Sequence, residues 1–316
     1  MSKLEPSLAF LFPGQGSQSV GMLSELASEH SEVKAVFDEA SGVLGYDLWA
    51  LVASGTADDL NLTEKTQPAM LAAGVACYRV WEKLSNIRPA WMAGHSLGEY
   101  TALVCSGSLA FPDAVRLVKE RGTLMQQAVA PGAGAMAAIL GLDDSAISSI
   151  CASISSDEKV VSPANFNAPG QVVIAGHAAA VSAAVDAAKV NGAKRAVLLP
   201  VSVPSHCLLM ASIAVGFRSL LEATRFESPS IRVIHNVDCS SQEQPSAIRH
   251  LLERQLFCSV RWADCVRTLS SQNVSKFVEC GPGKVLLGLN KRIVGEATTE
   301  AIFDSLSLNR SLQLVA

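Results

Sequence analysis

The chain has 316 residues, enough for two ordinary domains or one large one, and needs no disulfide staples to build a core. Apolar residues make up 49 % and charged residues 17 %, which excludes a disordered, collagen-like or coiled-coil chain. A net charge of −4 argues against a general nucleic-acid binder, so any basic patch must be local.

In chain order, Leu8–Phe12 reads as a strand that stops at Pro13, too soon for the apolar region of a signal peptide. Helices are expected over Glu32–Val43 and Ala69–Leu84 from apolar residues at three- and four-residue spacing. A short buried strand, Ala90–Ala93, precedes helices over Leu97–Cys105 and Pro112–Ala130. The break at 131–134 opens a compact pattern: strand Ala135–Leu142, helix Asp144–Ser155, strands Val160–Asn165 and Gln171–Ala175, helix His177–Val190, strand Arg195–Val201. The order βαββαβ is that of a ferredoxin-like unit. It reads as a small domain, 131–203, inserted into a larger α/β domain made of 1–130 and 204–316. Beyond Pro204 come helix Cys207–Ala223, strand Ile231–Asn236, helices Ala247–Leu256 and Trp262–Ser270, strand Lys276–Glu279, and a final helix after the turn at 281–283.

The most apolar stretches fall short of the ~18 residues a membrane span requires. The eight cysteines include no Cys-x-x-Cys pair, so they read as small buried hydrophobes in a reducing compartment, with no metal site expected. A cytoplasmic location follows.

The strongest chemical signal is Gly94-His95-Ser96-Leu97-Gly98, a G-x-S-x-G between a strand and a helix, the context of a nucleophile elbow. The plainer reading is a Gly-rich turn with a helix-capping serine. A serine nucleophile needs a base. His206 lies at a strand-to-loop-to-helix junction and is the leading candidate. His30 and His250 read as solvated, His177 as a helix start, His235 as a core residue, and His95 as pointing away from Ser96. The Gly14-Gln15-Gly16 opening lacks the third glycine of a dinucleotide loop, since position 19 is Ser. Gln15 could instead offer a backbone N–H to an oxyanion, or the segment is a plain turn. Arg121 lies mid-helix, where a solvated or salt-bridged arginine is the default. A guanidinium also grips a carboxylate bidentately, and Gly122 would leave room for one.

Together these pieces resemble the malonyl-CoA:acyl carrier protein transacylase family of the bacterial stand-alone type. The matching stretches are FPGQGSQSVGML (12–23), TQPAM (66–70), GHSLGEYTALVCSG (94–107), RGTLMQ (121–126), NFNAPGQVVIAGH (165–177), PVSVPSH (200–206), NVD (236–238) and GPGKVL (281–286). The tail beyond about Thr298 carries no signal.

The resemblance implies an α/β-hydrolase-like large domain with the ferredoxin-like insertion. It implies Ser96 as nucleophile, His206 as base, Gln15 and Leu97 as backbone oxyanion donors, and Arg121 as partner of the malonyl carboxylate. Gln255 matches the position whose backbone carbonyl orients the histidine, while Asp238 keeps an acid triad open. The partners implied are malonyl-CoA and holo acyl carrier protein, with no cofactor, no nucleic acid and no membrane, and a monomer is expected. Fatty acid synthesis is the family default, and a polyketide carrier is the alternative. Carrier proteins are acidic, so Lys194, Arg195, Lys291 and Arg292 are candidate carrier contacts, against the plainer reading of solvated basic ends. The segment Val203-Pro204-Ser205-His206 has the stand-alone form, so acyl selectivity rules from modular synthases transfer poorly. A serine esterase or thioesterase, and a non-catalytic carrier-docking subunit, are the rival readings.

Overall fold

The computed structural model describes residues 3–201 and 203–316; Ser202, within the 200–206 stretch, and the first two residues lie outside the described residues. β1 (Lys3–Phe12) alternates its side chains, with Leu8, Phe10 and Phe12 entering one core and Ala9 and Leu11 the other. Burial on both faces is why it reads as an unbroken apolar run, the pattern of a central parallel strand. Short helices α1 (Ser24–Glu29), α3 (Leu48–Ser54) and α4 (Ala57–Leu60) flank α2 (Ser31–Leu44). Helix α5 (Thr63–Leu84) starts ahead of the expected Ala69, with Pro68 inside it. A proline usually marks a boundary, and here it lies in the opening turns, where few intrahelical bonds are lost. β2 (Ile87–Gly94), α6 (Leu97–Cys105) and α7 (Phe111–Gln127) follow.

The middle of the chain forms β3 (Gly134–Leu140), α8 (Asp144–Ile154), β4 (Val161–Ala168), β5 (Gln171–His177), α9 (Ala178–Val190) and β6 (Arg195–Leu198). Its four strands pair antiparallel in the order β4-β5-β3-β6. Helices α8 and α9 pack on one face, around Ile139, Val172 and Ile174. The other face presents Met136, Val173 and Ala175. The expected strand Arg195–Val201 ends at Leu198; the Leu199 N–H makes one further bond to β3, to the Met136 carbonyl at 2.9 Å.

The remainder comprises α10 (Ala214–Ala223), β7 (Arg232–Ile234), α11 (Pro245–Gln255), α12 (Trp262–Ser271), β8 (Lys276–Cys280), α13 (Val285–Ile293), β9 (Thr298–Ile302) and α14 (Ser305–Gln313). The helix expected from Cys207 begins as a 3-10 turn, Leu208–Ile213. Beyond Thr298 the chain adds two elements that the sequence reading did not assign. β9 is an edge strand, too polar to read as a buried run, and α14 is capped by the Asp304 carboxylate and the Ser307 hydroxyl.

β7-β2-β1-β8-β9 form an all-parallel sheet in that order. The carboxyl ends of β1, β2, β7 and β8 therefore lie on one edge, and their following loops carry Gly14–Gln18, His95–Ser96, His235–Asn236 and the 281–283 turn. Open α/β sheets bind ligands at that edge. Among the described residues, no helix is long and apolar enough to cross a membrane.

Candidate active site

The glycines of the 94–98 turn are there for close packing. A Cβ on Gly94 would lie 1.9 Å from the Gly98 carbonyl carbon, and one on Gly98 would lie 2.0 Å from the Phe12 carbonyl oxygen. Helix α6 can thus start directly on the ends of β2 and β1. Ser96 stands at the tip with φ 53° and ψ −107°, a conformation that L-residues avoid and that persists where surrounding contacts over-determine it. One such contact is the Ser96 N–H, which donates to Asn236 Oδ1 at 2.7 Å.

Ser96 Oγ lies 2.7 Å from His206 Nε2, and His206 Nδ1 lies 2.7 Å from the Gln255 backbone carbonyl. A carbonyl only accepts, so Nδ1 carries the proton and Nε2 is left as the acceptor for the serine O–H. Burial pushes the His206 pKa down to about 3, and the Arg121 guanidinium adds to the effect. The ring is therefore neutral at neutral pH, with a lone pair facing Ser96. Asp238 does not reach this histidine; its carboxylate accepts from the Ser240 N–H at 3.0 Å. The acid-triad alternative falls away, because the end of α11 places a carbonyl where the acid would sit.

Arg121 is not solvated, and among the described residues it makes no salt bridge. It is 1 % exposed, donates to Gln67 Oε1 at 3.0 Å and Gln255 Oε1 at 3.0 Å, and reaches Ser96 Oγ at 3.4 Å. Its Nε has no hydrogen-bond partner among the described residues. Burial lowers its pKa without removing its charge at neutral pH. The guanidinium is held directly by neutral amides, with the buried Glu99 carboxylate acting on it only through space, so it has no ion-paired carboxylate of its own and is the electrostatic complement of a bound one. Gly122 does not open room for a ligand. A Cβ there would lie 2.8 Å from Glu64 Cα and from the Thr63 carbonyl oxygen, so the glycine lets α7 press against the start of α5.

Glu99 escaped the sequence reading as a functional residue. It is fully buried and accepts from Asn236 N–H at 3.0 Å, Gln255 Nε2 at 2.7 Å and His235 Nδ1 at 2.8 Å. Asn236 also donates through Nδ2 to the Gly94 carbonyl at 2.8 Å. One carboxylate thereby ties together Asn236, which holds Ser96, and Gln255, whose carbonyl orients His206 and whose side chain accepts from Arg121. The only signal was its place in the first turn of an apolar helix.

Leu97 is the first residue of α6, where a backbone N–H has no intrahelical acceptor. Gln15, in the loop after β1, shares with Ser96, Leu97, His206 and Arg121 a cavity of about 740 Å³. Met136, Asn165 and Val173 of the antiparallel sheet close its opposite wall. His95 turns to Asn167 Oδ1 at 2.8 Å, and His235 is a core residue on Glu99, as expected. His177 precedes α9 and accepts from the Val160 N–H at 2.9 Å. Lys194, Arg195, Lys291 and Arg292 are exposed, but Arg292 is engaged within the chain, donating to Gln171 Oε1 at 2.5 Å and the Pro169 carbonyl at 3.0 Å. Among the described residues no cluster of His, Cys, Asp and Glu could hold a metal ion.

Residues 9–305 match the acyl transferase domain, which places the chain among the acyltransferases. The malonyl CoA-acyl carrier protein transacylase of Escherichia coli strain K12 is 52 % identical over 97 % of this chain and 99 % of that protein. A crystal structure of an acyl carrier protein S-malonyltransferase from Vibrio cholerae is 54 % identical, with a TM-score of 0.94 over 96 % of this chain and 99 % of that one. A malonyl transacylase solved with its type II PKS acyl carrier protein is 51 % identical, with a TM-score of 0.96 over 98 % of this chain and 99 % of that one. The chain belongs to the malonyl-CoA:acyl carrier protein transacylase family.

Proposed function

We propose that this enzyme moves a malonyl group from malonyl-CoA to the phosphopantetheine thiol of holo acyl carrier protein through a malonyl ester on Ser96. The observation that carries the mechanism is Ser96 Oγ at 2.7 Å from the acceptor nitrogen of His206, with the Arg121 guanidinium 3.4 Å away in the same cavity. His206 Nε2 takes the serine proton as Oγ attacks the thioester carbonyl. The Gln15 and Leu97 N–H groups receive the oxyanion, each such donor being worth about 3 kcal/mol in comparable sites. Arg121 pairs with the free malonyl carboxylate. The intermediate collapses, the C–S bond breaks, and His206 returns the proton to the CoA thiolate. The carrier thiol then attacks the malonyl ester by the same steps, a ping-pong reaction.

The division into an α/β-hydrolase-like large domain (1–130 and 204–316) and a ferredoxin-like small domain (131–203) is supported by the β4-β5-β3-β6 order with both helices on one face. Lys194, Arg195 and Lys291 are proposed to meet the acidic carrier, with Arg292 bracing the turn at 169–171 beside them. The setting proposed is cytoplasmic fatty acid synthesis.

Intact mass after mixing with malonyl-CoA, without carrier, tests this reading. The expected result is one malonyl adduct, absent in Ser96→Ala and discharged by holo carrier. Steady malonate release without an adduct would establish a hydrolase instead. Carrier binding with neither adduct nor turnover would leave a docking subunit.

A further inference from the structure

Behind the site, two thiols meet. Cys265 Sγ, in α12, lies 3.6 Å from Cys239 Sγ, in the loop after β7. Cys265 is buried and Cys239 half-exposed, so one member of the pair is open to a small reagent. We propose that Cys239 and Cys265 form an oxidative modification site, at which a hydroperoxide joins the two thiols as a disulfide.

The geometry assigns the order of events. Cys239 is the accessible member, and the Cys265 thiol donates a hydrogen bond to its sulfur. That bond holds the Cys239 pKa below the ordinary thiol value, with Arg261 adding to the effect against burial. Cys265 is pushed the other way, by the same bond and by burial, and stays protonated. The Cys239 thiolate attacks the hydroperoxide: an S–O bond forms, the O–O bond breaks, and water or an alcohol leaves with a proton. Cys265 Sγ then attacks the sulfenic sulfur. An S–S bond forms, and the hydroxyl departs as water with the Cys265 proton. Two thiols lose two electrons, and the peroxide gains them. The sulfurs must close to about 2.05 Å, a small movement for a loop residue.

The site is tied to Ser96. The His235 carbonyl accepts from the Cys239 N–H at 3.1 Å and lies 3.5 Å from Cys265 Sγ, and the next residue is Asn236, which holds the Ser96 N–H. Disulfide formation removes the Cys265 thiol proton and draws the 239 loop toward α12. It therefore slows malonyl loading, a consequence that rests on the proposed function.

The test treats the full chain with stoichiometric hydrogen peroxide, alkylates the remaining thiols, and maps peptides without reduction. The expected result is a loss of two hydrogens and a peptide pair joined through Cys239 and Cys265, reversed by dithiothreitol and absent from Cys239→Ser and Cys265→Ser. Loading by the oxidised wild type should fall several-fold and recover on reduction, while Cys239→Ser keeps its rate through the treatment. If Cys265→Ser does not fold, Cys239→Ser carries the comparison. Oxygen addition without a cross-link, or a cross-link through another cysteine, would overturn the site. A 239–265 cross-link with unchanged loading would overturn the coupling to Asn236. The peptide map does not depend on any activity, so failure of the modification site is distinguishable from failure of the acyl-transfer reading.

Discussion

Asn236 and Ser96 are joined by a 2.7 Å hydrogen bond in which the side-chain oxygen of one accepts the backbone N–H of the other, across 140 residues of sequence. The bond opposes the strain of Ser96 at φ 53°. It leaves the next N–H, that of Leu97, directed by the start of α6 rather than by a protein acceptor. Asn236 is in turn fixed by the Glu99 carboxylate at 3.0 Å.

Asn236→Ala removes that acceptor and leaves a buried N–H unpaired, a cost of about 1–3 kcal/mol. Single-turnover malonyl loading should fall by about 10- to 100-fold. Stopped-flow or quenched mass measurement of adduct formation checks this, and a rate within twofold of wild type would show that Ser96 keeps its geometry unaided.

Arg121→Ala should change selectivity more than turnover of a neutral donor. A hydrogen bond to a charged group contributes about 1.5–3 kcal/mol, so the preference for malonyl over acetyl should drop by about 10- to 100-fold. Arg121→Lys should restore little, because a point charge does not reproduce the planar fork. Equal loss towards malonyl-CoA and acetyl-CoA would remove Arg121 from carboxylate recognition.

Loading should show no inflection near pH 6.5. The His206 pKa is lowered to about 3 by burial and by Arg121, so the base stays unprotonated through the mildly acidic range. The same shift has a stability consequence. Between about pH 6.5 and 3 the unfolded histidine binds a proton that the folded one does not, so this contribution to stability is present above that window and lost as pH falls through it. A kcat/KM profile of loading from pH 5 to 8 checks the first statement; an acid limb centred near 6.5 would contradict it.

Charge reversal at Lys194, Arg195 and Lys291 should raise the KM for holo carrier and leave adduct formation from malonyl-CoA unchanged. The effect should shrink as salt is added, since surface attraction is screened over about 10 Å at 0.1 M. Arg292 is left in place because it braces the Pro169–Gln171 turn. Unchanged carrier kinetics in the triple variant would place the docking surface elsewhere.

Much of this molecule is legible in its sequence because its strongest signals are local. The apolar run of β1, the glycines at 94 and 98, and the βαββαβ order all follow from short-range sterics and periodicity. Ser96 is legible for the same reason, since a strand, a tight turn and a helix start are adjacent in the chain. His206 led the histidines on its position at a strand-to-loop-to-helix junction, while Arg121 and Gln255 were placed through the family resemblance, since their own neighbours left them ambiguous. Gly122 was misread because an open side and a close-packed backbone both require the smallest residue. β9 and α14 were missed because an edge strand needs only one apolar face, and a Ser at the third helical position is a weaker cap signal than Glu or Gln.

The sequence by itself determined the elements and the nucleophile's turn, because these depend on bonded neighbours and repeat spacing. Tertiary structure alone decided which groups surround Ser96. It set a carbonyl rather than Asp238 behind His206, buried Arg121 among amides with no carboxylate in direct contact, and made Glu99 the common acceptor beneath the site. Those choices arise where the carboxyl ends of parallel strands converge. Contacts there join residues far apart in the chain, and burial, which no local pattern records, sets the charge state of each group.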